Sequence, residues 1–357
     1  MNMPELKIGD LVASKPIVQG AMGVGVSLSK LAAAVANEGG VGTISAVQIG
    51  FNEPDFEKNT VEANIRALRN HIKEARKLSP KGIIGVNILV AINEYREMVK
   101  AAVDEGVDII VSGAGLPTEL PGLVKGSKTK IAPIVSSGKA AALICKMWDR
   151  KHQVLPDLIV VEGPEAGGHL GFSKEQLESP SCPTLEEATK EVIEAIKPFE
   201  EKSGKKIPVI AAGGVYDGKD IAKFIKLGAS GVQMATRFVG TYECDAHEKF
   251  KEAYVKSTKE GIRLVKSPVG MPGRAVSNKF LEALDKGNIP VKKCFNCLQP
   301  CEPKTTPYCI STALINAVEG RVEEGLIFSG TNAYRIDKIV SVKELMDELV
   351  KEIKENL

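Results

Sequence analysis

Apolar residues in this chain cluster into short runs rich in β-branched side chains: "PIVQG" (16–20), "VGTISA" (41–46), "GIIGVNI" (82–88), "VDIIVSG" (107–113), "IAPIVSS" (131–137), "DLIVVEG" (157–163), "IPVIAAGG" (207–214) and "GVQMATRF" (231–238). They are almost continuously apolar, as strands covered on both faces must be, which predicts a parallel sheet wrapped by helices. Segments with helical spacing lie between most of them. In 29–40, "SKLAAAVANEGG", Ser29 is a candidate N-cap and glycine a stop; in 218–229, Ile221, Phe224, Ile225 and Leu227 fall largely on one side before Gly228. A doubly wound open sheet has the same periodicity. The count of eight strand-helix units favours a closed TIM (β/α)8 barrel.

Two segments break the repeat. Residues 172–206 hold a polar loop with "SPSCP" before a helix starting near Thr184, long enough for an active-site lid. After the eighth strand comes an extra block of helices and loops. The chain then ends in "SVKELMDELVKEIKENL", which places Val342, Leu345, Met346, Leu349, Val350 and Ile353 on one face behind a Ser341/Glu344 capping box. This is the expected eighth barrel helix. The division is therefore a barrel of residues 1–240 and 327–357 and a mainly helical substrate or lid domain, 241–326, inserted after strand eight.

Length and charge narrow the partners. The 357 residues suit one barrel with an insertion, and the formal net charge is only +2, with no basic run interleaved with aromatics. Neither nucleic acid nor an anionic membrane is an expected partner, so the substrate is a small molecule. "MNMPELKIGDL" lacks a basic n-region and an apolar h-region, and no apolar run approaches the ~20 residues of a membrane span. With an odd seven cysteines, this reads as a cytoplasmic protein.

In such barrels the chemistry lies at the C-terminal strand ends, and a phosphate commonly sits beyond strands seven and eight. Here those ends carry Gly213 and Gly214 in "AAGGVYDG", and Gln233, Ala235 and Thr236 in "QMATRF", small-residue turns able to cradle an anion. Tight strand-to-helix packing would use the same glycines. Strand one ends at Gly20, Ala21 and Met22, strand three at Asn87, and strand five at Ser136, Ser137 and Lys139. A polar rim with little charge suits a flat heteroaromatic ring such as an isoalloxazine. The loop after strand six, "VVEGPEAGGHLGF", brings His169, one of four histidines, behind Gly167 and Gly168. A strand-end imidazole can exchange protons near neutrality, and the glycines would let it swing close to the ring.

"EGPEAGGHLG", taken with "PIVQGAMG", "GVN", "AAGGVYDG", "GVQMATRF" and "IFSGTNA", resembles the flavin-dependent nitronate monooxygenase (2-nitropropane dioxygenase) family, which includes flavin-dependent enoyl-acyl-carrier-protein reductases. The resemblance runs through nearly the whole chain. It implies an FMN-binding barrel with His169 as the catalytic histidine, and flavin-binding segments at Gly20, Ala21, Met22, Asn87, Gly213, Gly214, Ala235 and Thr236. Glu162 stands where many nitronate-oxidising relatives have Gln and resembles the reductases. The implied function is oxidation of alkyl nitronates with dioxygen. An NAD(P)H-dependent enoyl-thioester reductase is the alternative, and a homodimer is compatible with both. A flavin-binding module without turnover would leave His169 unexplained. Arg274, in "SPVGMPGRAVSN" (267–278), is a candidate anion contact at the entrance.

The inserted block also carries "CFNCLQPCEPKTTPYC", with Cys294, Cys297, Cys301 and Cys309 spaced C-x2-C-x3-C-x7-C. Four thiolates so close can hold zinc or a 4Fe-4S cluster, or they can be packing thiols. The spacing resembles the cluster-binding stretch of the dienoyl-thioester reductases, with a shorter last interval. Cys145, Cys182 and Cys244 are scattered and read as ordinary residues.

Overall fold

The eight apolar runs form eight parallel strands, because their alternate residues are buried on both sides and nothing polar is left to face water. In the computed structural model, which describes residues 3–299 and 301–357, these are β1 (Ile17–Gln19), β2 (Val41–Ser45), β3 (Ile83–Leu89), β4 (Ile109–Gly113), β5 (Lys130–Val135), β6 (Ile159–Glu162), β7 (Val209–Ala212) and β8 (Gly231–Met234). They close in sequence order, β8 pairing with β1 through Gln233 and Val18. The fold is the expected TIM barrel.

Around it run α1 (Ser29–Asn37), α2 (Thr60–Leu78), α3 (Tyr95–Asp104), the one-turn α4 (Leu120–Leu123), α5 (Gly138–His152), α6 (Leu185–Ser203), α7 (Gly218–Leu227) and α8 (Val342–Asn356). The capping boxes at Thr184/Glu187 and Ser341/Glu344 are both formed, so α6 and α8 start where their sequences place them. α8 packs between α7 and α1 and completes the ring. The start of α1 corrects the sequence reading. Ser29 is already inside the helix, and the free N–H groups of Leu28 and Leu31 donate to the Asp245 carboxylate, at 2.8 and 3.3 Å. Ser29 Oγ instead lies 3.1 Å from His71 Nδ1.

The barrel interior is plugged from its N-terminal end. A hairpin of Leu6–Ile8 and Leu11–Ala13 inserts Leu6 and Ile8 among Val18, Val41, Ile83, Ile109, Val160 and Ile210. A ligand therefore enters from the opposite, C-terminal mouth.

That mouth is roofed by the segment between β8 and α8. It contains helices Glu248–Val255, Lys279–Asp285 and Ile310–Val318 and an antiparallel hairpin of Ile262–Lys266 with Pro272–Val276. A buried polar chain ties roof to barrel: Gln48 Nε2 donates to Ser311 Oγ, while Asn64 Nδ2 donates to both Gln48 Oε1 and Glu94 Oε1, each at 2.9 Å. Gly50 N–H donates to Asn64 Oδ1, so the amide is fully satisfied. Burial raises the Glu94 carboxyl pKa above its usual range.

Candidate active site

A cavity of about 450 Å³ opens at the C-terminal strand ends, between the barrel mouth and its roof. Its floor holds Gly20, Ala21, Met22, Asn87, Ser136, Glu162, Gly167, Gly168, His169, Gly213, Gly214, Gln233, Ala235 and Thr236. Residues drawn from six of the eight strand ends thus converge on one space. The register explains part of this: Glu162, Ala212 and Gln233 pair across β6, β7 and β8 and stand at one level.

Lys139 is the exception. Ser137 caps α5 by accepting from Ala140 N–H, so the helix has already begun at Gly138, and Lys139 points from its first turn to solvent outside the cavity. The strand-five rim is left with Ser136 as its polar group.

The far end of the cavity is a glycine cradle. Gly213 and Gly214 have φ of +95° and +88°, and a Cβ on either would meet Ala166 at 2.9 Å or the Glu165 carboxylate at 2.3 Å. Only glycine fits there without strain. "IFSGTNA" supplies the other wall. Asn332 Nδ2 holds the Gly214 carbonyl at 2.8 Å, and Gly330 backs onto Thr236 so closely that a Cβ would lie 2.9 Å from its hydroxyl. Ser329 Oγ is buried with no hydrogen-bond partner among the described residues, and so is Thr43 Oγ1; both residues line the cavity. Buried polar atoms left unpaired inside a cavity call for a partner, and a bound ligand is one that would supply it. A flavin mononucleotide fits this chemistry: glycine turns and hydroxyls for a phosphate at one end, and an apolar and amide-lined floor for a ring at the other.

His169 is held rather than swinging. Gly168 and His169 pair with Arg274 and Gly273 as a third strand of the roof hairpin. Gly167 serves close approach, since a Cβ there would lie 2.6 Å from the Gly330 nitrogen. Nε2 of His169 lies 2.7 Å from Ser267 Oγ, and Phe328 packs edge-on against the ring with centroids 5.0 Å apart. Burial lowers the His169 pKa to about 4, so the imidazole is neutral at physiological pH. Burial has the opposite effect on Glu162, which has a pKa pushed up to about 8 and keeps its proton at neutrality.

Arg274 is not an entrance anion contact. Its Nη1 donates to the carbonyls of Pro164 and Ala166, at 2.8 and 2.6 Å, and so clamps the loop that carries His169. Sequence reasoning also missed the roof residues Val269, Met271, Leu298, Leu314 and Phe328, which line the cavity opposite the floor. Their apolar spacing reads as ordinary core.

The four cysteines do not assemble as expected. Among the described residues, no group of three or more His, Cys, Asp or Glu side chains is arranged to hold a metal ion. Cys294 is exposed, while Cys297 turns into the cavity wall beside Ser311, its thiol pKa pushed up to about 11 by burial. The segment runs along the barrel mouth, with Phe295 stacked on Phe56 and Leu298 bridged to Ile92.

The family model described as nitronate monooxygenase matches residues 5–352. A (3aS,4S,5R,7aS)-5-hydroxy-7a-methyl-1-oxo-octahydro-1H-indene-4-carboxyl-CoA dehydrogenase of Mycobacterium tuberculosis is 25% identical, covering 94% of this chain and 92% of the relative. A probable nitronate monooxygenase of Staphylococcus aureus is 27% identical over 77% of this chain and 79% of its own. Among solved structures, FabK from Thermotoga maritima superposes with a TM-score of 0.73 at 28% identity, covering 95% of this chain and 93% of that one.

Proposed function

The chain belongs to the nitronate monooxygenase family, whose members are flavin-dependent oxidoreductases, and from that premise we propose that it binds FMN and oxidises alkyl nitronates with dioxygen. The observation that carries this reading is His169, a neutral imidazole in the wall of a cavity that ends in a glycine cradle. Neutral imidazole is the form that takes a proton. It can remove the proton on the carbon bearing a nitro group, and once protonated it can stabilise the nitronate anion by charge.

In this reading Gly213, Gly214, Ala235 and Thr236 hold the FMN phosphate with Ser329. Gly20, Ala21, Met22, Asn87, Ser136, Glu162, Gly167, Gly168 and Gln233 surround the ring. Bound FMN supplies the electron transfer that no side chain of the protein can perform. The roof residues Val269, Met271, Leu298 and Phe328 exclude water from the reacting carbon and receive the substrate's alkyl part.

A second reading, NAD(P)H-dependent reduction of an enoyl thioester, draws on Glu162. A carboxyl that burial keeps protonated at neutrality is a proton source in the floor of the same cavity. Kinship with a carboxyl-CoA dehydrogenase along nearly the whole chain supports it too.

Anaerobic stopped-flow absorbance of the flavin-loaded protein separates the two. Nitronate oxidation requires bleaching of the flavin band by an alkyl nitronate and none by NADH or NADPH. Bleaching by a nicotinamide, with the nitronate inert, would replace the first reading with the second.

A further inference from the structure

Among the described residues, no lysine or arginine lines the cavity. An anion at the glycine cradle therefore meets only N–H groups and hydroxyls, whose attraction depends steeply on direction, where a lysine ammonium would tolerate misplacement. Three segments supply these groups: Gly213 and Gly214 after β7, Ala235 and Thr236 after β8, and Ser329 and Gly330 before α8. Whatever holds the three in one arrangement sets how well the cradle binds.

Each segment runs on into one cluster behind the cradle. Tyr216, in the turn that begins at Gly213, is 8% exposed. Arg237 follows Thr236 directly, and its guanidinium carbon lies 4.6 Å from the centre of the Tyr216 ring. Arg335 closes the helical turn Ala333–Arg335 beyond Gly330, and its guanidinium carbon lies 3.9 Å from the same centre.

Hydrogen bonds tighten the same junction. Arg237 Nη1 donates to the Tyr216 carbonyl at 3.3 Å and Nη2 to Glu348 of α8 at 3.0 Å. Arg335 Nη2 donates at 3.0 Å to Asp217 Oδ2, while Oδ1 of that carboxylate caps α7 by accepting from Asp220 N–H. Asn332, between Gly330 and Arg335, holds the Gly214 carbonyl. Because each guanidinium is already paired with a carboxylate, the cluster acts on the cradle through position rather than through charge.

We infer that Tyr216, Arg237 and Arg335 are positioning residues: a clasp that locks the three segments of the cradle together and sets the affinity for the phosphate end of a flavin, not for its ring. Planar guanidiniums over an aromatic face are held in distance and in tilt, which a single hydrogen bond does not achieve. The role of the clasp rests on the cradle being the FMN phosphate site.

Equilibrium dialysis of the flavin-free chain against FMN and against riboflavin tests both, since riboflavin carries the same ring without the phosphate. The wild type should prefer FMN. In Tyr216→Leu, which removes the stacking face, FMN affinity should fall at least about tenfold, the worth of one hydrogen bond to a charged group, and riboflavin affinity should stay within about twofold. Tyr216→Phe keeps the face and should keep the wild-type preference.

Equal losses of FMN and riboflavin binding in Tyr216→Leu would reduce the cluster to general packing and refute the clasp, and so would a wild-type preference that survives the substitution. If Tyr216→Leu fails to fold, Arg335→Met decides, because the Arg335 side chain is 36% exposed and its loss opens no core: a reduced preference for FMN supports the clasp and an unchanged one refutes it. Equal wild-type affinities for the two flavins would instead take the phosphate out of the cradle, overturning the FMN assignment and the clasp with it.

Discussion

Arg274 reaches across 108 residues of sequence to place Nη1 2.6 Å from the carbonyl oxygen of Ala166, with a second bond from the same nitrogen to Pro164. A charged donor from the roof thereby fixes the backbone three residues before His169. Hydrogen bonds to a charged group contribute roughly 1.5–3 kcal/mol each. Arg274→Ala is expected to lower stability by about 2 kcal/mol in urea unfolding. Turnover and flavin affinity should both fall, because the clamped segment carries His169 and also packs Ala166 and Glu165 against Gly213 and Gly214 of the cradle. A variant with wild-type turnover would show that strand pairing alone positions His169.

His169→Ala is expected to retain flavin while slowing turnover by roughly a hundredfold or more, the range for loss of an acid-base group. Single-turnover kinetics with saturating substrate is the measurement. Near-normal rates would take the imidazole out of the chemistry.

Gly213→Ala meets both a φ of +95° and a contact at 2.9 Å with Ala166. The cradle must open to admit the methyl group, so flavin affinity should drop at least tenfold while far-UV circular dichroism still reports the barrel. Equilibrium dialysis against FMN decides. Undiminished affinity would place the phosphate elsewhere in the cavity.

The pH dependence of stability has a distinctive shape, because two buried groups in the site shift in opposite directions. Glu162 has a folded pKa of about 8 against 4.5 for the free side chain. The unfolded chain binds fewer protons across that window, so stability falls as pH rises from about 4.5 to 8. His169 has a folded pKa of about 4 against 6.5. Here the unfolded chain binds more protons, so stability rises with pH from about 4 to 6.5. Their contributions oppose each other below pH 6.5, leaving a net decline above it. Urea midpoints of the flavin-free protein should therefore fall between pH 6.5 and 8. Glu162→Gln should remove that decline and uncover the rise at lower pH; an unaltered profile would mean that Glu162 ionises normally.

Cysteine reactivity gives a further check. Cys294 is exposed, whereas the Cys297 thiol pKa is pushed up to about 11 by burial in the cavity wall. Iodoacetamide at pH 7.5 is expected to label Cys294 well before Cys297, as peptide mass spectrometry would show. Equal protection of Cys294, Cys297, Cys301 and Cys309, lost on adding a chelator, would revive the metal site.

The strands were legible because each is a short β-branched run buried on both faces, a pattern that survives without knowledge of its neighbours. Gly213, Gly214 and His169 could be placed at the cavity for a related reason: each lies just beyond the end of a strand. What the sequence hid is long-range. The cap of α1 is Asp245, more than 200 residues away, so Ser29 was the better local candidate. Ser267 meets His169 across 98 residues and carries no motif. Lys139 misled because a serine cap turns the chain into helix one residue too early for it to reach the mouth. The four cysteines lie close in sequence, yet among the described residues no three of the metal-ligating side chains are arranged to hold an ion.

The strand Gly168–His169 belongs to two structures at once, ending a barrel loop while completing the hairpin of the roof. The histidine is therefore common property of host and insert. A barrel trimmed of its insertion would keep the glycine cradle and lose the edge against which His169 is aligned. Grafting an insertion from one relative onto the barrel of another would transplant more than a pocket lining, because the serine that meets the imidazole travels with the graft.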